Sequence, residues 1–483
     1  MDEGVEPHAS ANAIPQLHRH GKLTLRPNWY PCGAQPTQSA RLPETFSEAV
    51  SNIPPGVGPI DDAEVERLRE RVVSILRAGV DHVLRYETLR AKLVEAQTDV
   101  ATTGRTFVIA LGKAALSMSD VVAEHLSRVE SATFVVPHGY RAAWDAPVPW
   151  GSRATLLEAG HPLPDDTSAD AAAFLEHLLA DTTADDRVVV LVSGGGSALV
   201  AAPIPGMSEV VFRKALADLY VSGRPIGEVN LIRRGICRLA GGGLARAAHP
   251  TRVSSLILSD VPDDDPCMVA SGPTCLPTPA DIATTRSLVE LTLGEDVGRL
   301  VDTAMSGRTP ADRDLVSNML VGSNADAVAG LLQACAEAGI RVRATRRMVG
   351  EARTVGARLT AEADRALSAG EALVFGGETT VTVRGAGRGG RCQELVVAAA
   401  DALERGGRRA IVGCLGTDGR DGPNGAAGAV AAVVPGTTRW QMTAPTALAN
   451  NDTFPLLEEA GALVHTGPTH TNVMDIGVLV MIS

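Results

Sequence analysis

From residue 62 to 96, in DAEVERLRERVVSILRAGVDHVLRYETLRAKLVEA, apolar residues recur every three to four positions. That period puts them on one face of a helix, with Asp61 or Asp62 as its cap. The pattern then changes. Short, mostly apolar runs at 105–111 (RTFVIAL), 132–137 (ATFVVP), 154–160 (ATLLEAG), 188–192 (VVVLV) and 252–260 (RVSSLILSD) predict strands. Helical periods lie between them, opening at Gly112 and covering 167–180, 207–221 and 227–248. This strand–helix alternation predicts an α/β fold around a doubly wound, mostly parallel sheet. Two helical segments after residue 276 lead to a second set: strand 318–322, helix 325–338, strand 341–346 and helix 351–368. The runs 371–378 and 379–385 follow, turned at Gly376-Gly377, and the second of them alternates. They read as a half-exposed, hairpin-like pair, so the second half is expected to be mixed α/β. The expected organisation is a tail over 1–60, a first domain over 61–300 and a second over 301–483, with the join between 275 and 315. The tail is rich in Pro, Ser, Asn and His without a sustained period, which predicts an extended or disordered arm.

A length of 483 residues makes two domains the default. Net charge is −12, from 44 basic and 56 acidic residues, and aromatics are only 3%. The sign argues against nucleic acid or an anionic membrane as main partner, and the scarcity of rings argues against a base-stacking platform. No apolar run reaches membrane-spanning length. The start, MDEGVEPHAS, lacks the charged and apolar regions of a secretory signal, and its acids oppose a transit peptide. Seven cysteines without a CxxC suggest neither a disulfide framework nor a zinc site. A cytoplasmic location is the expectation.

Glycine loops carry the candidate chemistry. A Walker A loop is missing, because Ala114 follows Gly112-Lys113 where Ser or Thr is required. Ser197 sits on a strand–turn–helix, but Leu199 replaces the second glycine of a nucleophile elbow. Gly385, Gly387 and Gly390 form a GxGxxG, yet the strand before them alternates and no acidic residue ends a following strand, so a dinucleotide site is disfavoured. What remains is a series of glycine loops at strand ends: GKAA (112–115), SGGGSAL (193–199), AGGGLA (240–245), GGET (376–379), GRGGR (387–391), GTDGRDGP (416–423) and TGPTHTN (466–472). Such loops gather on the carboxyl edge of an open α/β sheet, where backbone amides can cradle anions. With Lys113, Arg391, Asp260, Asp418 and Asp421 among them, an anion and metal site is expected. Asp418 and Asp421 admit two readings, Mg²⁺ binding or Asx-turn capping. Arg391 directly precedes an apolar helix, where a cation opposes the helix dipole unless something anionic is near. His161, just after a strand, suits a pocket wall as well as catalysis.

In this order GKAA, EAGHPLPDDTS, LVSGGGSAL, NLIRRG…GGGLA, LILSDVPDDDP…ASGPT, GGETTVTVRGAGRGGRCQEL, GTDGRDGPNGAAGA and HTGPTHTNVMD resemble the motif series of the glycerate 2-kinases of the MOFRL family, over about 65–482. The resemblance implies a Rossmann-like first domain, a MOFRL second domain and an active site in the cleft between them. It implies transfer of phosphate from ATP to O2 of D-glycerate, with Mg²⁺, giving 2-phosphoglycerate, in a monomer or homodimer. Lys113, Arg391, Asp260 and Asp418 match its catalytic positions, with Asp260 and Asp418 as metal candidates. Gly194, Gly195, Gly196, Ser197, Asn230, Arg233, Gly241, Gly242, Glu378, Gly389, Gly390, Asp421 and Asn472 fall in its substrate- or nucleotide-binding segments. The departures are Ala240 where the family usually has lysine, Cys392 for asparagine, Asp263 for glycine and Cys237 for serine. Arg238 is the nearest replacement for the missing lysine. The competing readings are a kinase for another small hydroxy acid, a non-catalytic member and an NAD(P)-dependent hydroxypyruvate reductase. The poor dinucleotide fingerprint counts against the last.

Overall fold

The mostly apolar runs of the first half form one sheet. In this computed structural model, which describes residues 62–98, 104–126, 128–306, 313–434, 436 and 439–482, β1 (Thr106–Leu111), β2 (Ser131–Pro137), β3 (Ala154–Ala159), β4 (Arg187–Val192), β5 (Arg252–Leu258) and β6 (Val316–Gly322) share one sheet. Their order is β3-β2-β1-β4-β5-β6, and every pair is parallel. A parallel sheet is covered on both faces, so its central strands must be apolar throughout. All six residues of β1 are accordingly buried. The chain runs outward from β1 to β2 and β3, then returns to β4 on the other side of β1. The loops leaving β1 and β4 therefore part in opposite directions and open a crevice at their carboxyl ends.

The second sheet holds β7 (Arg341–Glu351), β8 (Glu371–Thr380), β9 (Ala410–Gly416), β10 (Gly428–Val433), β11 (Leu463–Val464) and β12 (Asp475–Met481). Their order is β11-β10-β9-β12-β8-β7. Only β7 and β8 run parallel; the other pairs are antiparallel. The α/β class and the mixed character of this half are as expected.

Three expectations change and one is not tested. The hairpin at 371–385 is one strand, β8, running straight through Gly376-Gly377. Those glycines serve close packing rather than a turn: a Cβ on Gly376 would lie 2.2 Å from Asn324 Oδ1, and one on Gly377 (φ +127°) 2.5 Å from the Met348 carbonyl oxygen. The long helix at 227–248 is two, Ile226–Ile236 and Gly243–Ala248, because Gly241 and Gly242 take left-handed backbone between them. The boundary at residue 300 cuts through the first sheet, which recruits β6 from beyond it. Finally, the tail expected over 1–60 lies outside the described residues.

One apolar cluster joins the two sheets. It contains Val108 and Ala110 of β1, Leu76 and Val80 of helix Asp62–Leu84, Val328 and Leu331 of helix Asn324–Glu337, and Ile476 and Val478 of β12. Each fully buried Leu or Ile there contributes about 2 kcal/mol of transfer free energy. This shared core holds the loop-bearing edges of both sheets together. Among the described residues, no helix is long and apolar enough to cross a membrane.

Candidate active site

The loops after β1 and β4 are stitched together before anything else reaches them. The Lys113 amide donates to the Gly194 carbonyl (3.0 Å) and the Ser193 amide to that of Leu111 (2.9 Å). The Ser193 hydroxyl accepts from the Ala114 amide (3.0 Å). Three groups come close to the triple glycine. A Cβ on Gly194 would fall 1.8 Å from Asp260 Oδ2 and 2.4 Å from Asn472 Nδ2, and one on Gly195 (φ +91°) would touch His161 Cδ2 at 3.1 Å. The glycines are required because a carboxylate, an amide and an imidazole lie against the backbone.

Across from this edge stands the second sheet. Asp475, the first residue of β12, is in register with Gly377 of β8 and Gly416 of β9. That register brings Glu378, Asp418 and Asp475 to one place. Lys113 Nζ donates to Asp418 Oδ2 at 2.5 Å, linking the two sheets. Burial works against both charges, but each outweighs it for the other: the lysine pKa is raised and the aspartate pKa lowered. Asn472 Nδ2 donates to Asp260 Oδ2 at 2.9 Å, a second link. Arg391 forks onto Asp475 through Nε (2.6 Å) and Nη2 (2.8 Å) and reaches Glu378 at 3.0 Å. These carboxylates hold its pKa well above the ordinary value despite burial.

Beside these pairs lies a cleft of about 410 Å³, lined among others by His161, Gly195, Ser197, Arg233, Asp260 and Glu378. Asn230 and Ser271 also border it, and Ser271 Oγ lies 2.9 Å from Ser197 Oγ while donating to Asn230 Oδ1 (3.2 Å). Burial, reinforced by Lys113, lowers His161 to about 4, so its ring is neutral at physiological pH. Burial pushes Asp260 up to about 6, against the pull of Lys113. Glu378 is 37% exposed, through the open cleft. Burial on its other sides still outweighs Arg391 and, with Asp475 and Asp260 nearby, pushes it to about 7. Arg233 is half-buried, burial lowers its pKa, and no carboxylate among the described residues pairs with it.

Lys113, Gly194, Gly195, Gly196, Ser197, Asn230, Arg233, Asp260, Glu378, Arg391, Asp418 and Asn472 thus converge. Three expected binding residues serve the scaffold: Gly241, Gly242 and Asp421. The amides of Gly241 and Gly242 donate to the carbonyls of Ser271 (2.9 Å) and Gly272 (2.8 Å), so they cradle no anion. Asp421, 1% exposed, accepts from the amides of Cys392 (3.0 Å) and Gln393 (2.9 Å), capping helix Arg391–Arg405. Gly390 is the residue before that helix, and the Gly389 carbonyl accepts from Asn424 Nδ2 at 3.2 Å. Ala240 packs in an apolar cluster with Ala201, Ile232 and Ile236, and Arg238 is held by Glu176 at 3.2 Å rather than standing in for a lysine there. The extra charge of Asp263 is met by Arg347 at 3.0 Å. Asp475 was not singled out from sequence, although one carboxylate opening the apolar run DIGVLVM was a signal.

Comparison with known proteins agrees with this layout. A domain family of unknown function, DUF4147, matches residues 71–304, and the MOFRL family matches 371–475. The D-glycerate 2-kinase of Thermotoga maritima is 32% identical over 433 residues, 86% of this chain and 99% of that protein. The chain belongs to the glycerate kinase family. Human glycerate kinase is 33% identical over 443 residues, covering 77% of this chain and 84% of the human one. The crystal structure of the Thermotoga maritima glycerate kinase superposes with a TM-score of 0.71 at 31% identity, over 86% of this chain and all of that one. The glycerate kinase fold thus accounts for both sheets.

Mg²⁺ can be tested against the donors present. Among the described residues no three His, Cys, Asp or Glu side chains form a cage for a cation. Mg²⁺ is often held by one or two carboxylates together with substrate phosphates, however. Asp260, bordering the cleft with one oxygen bound to Asn472, fits that role. Asp418 does not, since Lys113 occupies Oδ2 and the Arg420 amide (3.0 Å) occupies Oδ1.

Proposed function

We propose that the protein transfers the γ-phosphoryl group of ATP to the 2-hydroxyl of D-glycerate, giving 2-phosphoglycerate and ADP. The observation that carries this reading is Arg233, a cation in the cleft wall with no carboxylate partner among the described residues. Such a charge calls for an anion from outside, and glycerate supplies a carboxylate of matching shape. Phosphoryl transfer demands positioning and charge neutralisation more than covalent chemistry. Lys113, aimed by Asp418, would neutralise the oxygens of the group in flight. Arg391, fixed by Asp475 and Glu378, adds positive potential on the other side. Asp260 would hold Mg²⁺, whose chemistry there is to offset the charge of the nucleotide phosphates. Glu378, with its carboxyl near 7, would take the proton of the 2-hydroxyl.

The test is ADP release from MgATP with D-glycerate, against L-glycerate, tartronate and no acceptor. Enolase coupling tells the 2-phospho from the 3-phospho product. Turnover of about 1 s⁻¹ or more, confined to D-glycerate and giving 2-phosphoglycerate, is expected; its absence in protein that still binds ATP would overturn the reading. A base must be deprotonated to act, so turnover should rise as pH passes through about 7 and level off above. Glu378→Gln should lower kcat and flatten that rise. An unchanged pH profile in the variant would remove Glu378 from the role.

A further inference from the structure

An imidazole stands in the cleft wall without a task in the reaction described above. His161 comes shortly after β3, in a loop closed by Asp165. That aspartate accepts from the Gly160 amide through Oδ1 (3.2 Å) and caps the next helix, Asp166–Ala180. The ring rests on the triple-glycine loop. A Cβ on Gly195 would lie 3.1 Å from His161 Cδ2, 3.2 Å from His161 Nε2 and 3.6 Å from Lys113 Cγ. His161 is thus pressed against the loop beside the lysine, and it borders the cleft.

Most polar side chains around the cleft already have partners. Ser197 and Asn230 both bond Ser271, at 2.9 and 3.2 Å. Asp260 accepts from Asn472 at 2.9 Å, Glu378 meets Arg391 at 3.0 Å and Arg224 donates to Glu228 at 2.9 Å. Tyr220 is 55% exposed, so water serves its hydroxyl. Two half-buried groups are left, Arg233 and His161. Among the described residues neither side chain has a hydrogen bond or an ion pair. They differ in charge. Arg233 is a cation, whereas burial, aided by Lys113, Arg420 and Arg233 against the pull of Asp418, keeps His161 neutral. A neutral imidazole carries one N–H and one lone pair, so it can donate to a hydroxyl or accept from it. Full charges in this cleft have Lys113, Arg233 and Arg391 to meet them. The neutral ring suits a neutral group.

D-Glycerate brings three oxygen-bearing groups. The carboxylate is matched by Arg233 and the 2-hydroxyl by Glu378, which leaves the 3-hydroxyl. We propose that His161 determines acceptor specificity by hydrogen-bonding the 3-hydroxyl, so that the cleft selects 2,3-dihydroxy acids over 2-hydroxy acids with a methyl group at that carbon. This inference rests on the kinase reading. A methyl analogue would leave an enclosed ring nitrogen unpaired, and sites built to bond a hydroxyl reject analogues that lack it far more strongly than apolar walls do.

The experiment compares D-glycerate with D-lactate, which has the same configuration and a methyl in place of the hydroxymethyl group. ADP release from MgATP is measured with each acid on one preparation of the full chain, so the folded fraction cancels in the ratio. The parent is expected to favour D-glycerate in kcat/KM by about a hundredfold or more. His161→Phe keeps a planar ring against Gly195 without its nitrogens, and should cut that preference about tenfold or more. His161→Gln supplies a donor and an acceptor again and should recover part of it. An undiminished preference in His161→Phe would overturn the proposal, as would a parent that uses both acids equally. If the parent releases no ADP with either acid, the kinase reading fails, and calorimetric titration of the two acids into the parent and His161→Phe proteins still decides the contact. Tighter binding of D-glycerate that the variant loses would uphold it. Equal affinities in the parent, or no binding of either acid, would overturn it.

Discussion

Replacing Lys113 by alanine is expected to lower kcat about a thousandfold, the loss seen when a preorganised donor to developing charge is deleted. Lys113 lies directly after β1, at the crevice where the strand order reverses, and Asp418 holds its ammonium at 2.5 Å. Its side chain is 13% exposed and that of Asp418 8%. Inside such a site a cation acts on phosphoryl oxygens with little screening. The same burial gives the variant a second effect, because Asp418 loses its counter-ion. Breaking an enclosed pair this way costs about 3 kcal/mol. The double variant Lys113→Ala/Asp418→Asn removes the stranded charge, so it should recover most of the stability and none of the turnover. Stopped ADP-release assays and denaturation midpoints on the three proteins separate the effects. Turnover near the parent level in Lys113→Ala would take Lys113 out of the chemistry.

The largest loss of stability is expected from Arg391→Ala, at about 3–5 kcal/mol. Arg391 satisfies both oxygens of Asp475, which is fully buried at the start of β12. β12 is a central strand, paired with β8 on one side and β9 on the other. An uncompensated carboxylate there must draw in water or pull the strand end out of register. Arg391→Lys keeps a positive charge but not the planar fork, so it should recover only part of the loss. Urea unfolding at pH 7 measures both. Near-equal midpoints for the alanine and parent proteins would mean that Asp475 finds another donor. Arg391→Ala/Asp475→Ala should lie closer to the parent than Arg391→Ala alone.

Arg391 also shows what a local reading can and cannot see. A cation at a helix start points to a nearby anion, and that inference held. The anions include the protein's own carboxylates: Asp421 caps the helix amides and Asp475 holds the guanidinium. Nothing in GRGGRCQEL says whether the partner is a ligand or a residue 84 positions away. Gly241 and Gly242 failed for a related reason. A glycine-rich loop before a helix is equally compatible with an anion cradle and with a brace on a neighbouring loop. The carbonyls of Ser271 and Gly272 decide the matter. The hairpin at Gly376-Gly377 was misread because paired glycines signal either a turn or a close approach, and only the helix packed on Gly376 and the strand β7 beside Gly377 distinguish them.

The elements of the first sheet were determined by sequence alone, since a strand buried on both faces must be apolar along nearly all its length, as β1 after Thr106 and β4 after Arg187 are. So was the family, because eight motifs in order depend on residue identity and succession. Which charges meet was decided only by the tertiary structure. Lys113 and Asp418 are 305 residues apart, and Asp475 reaches Arg391 through the register of β12 between β8 and β9. Hydrophobic periodicity is local information about which face of an element is buried. Ion pairing depends on strand order, register and the packing of one sheet's edge against the other, and these arise only when the whole core forms.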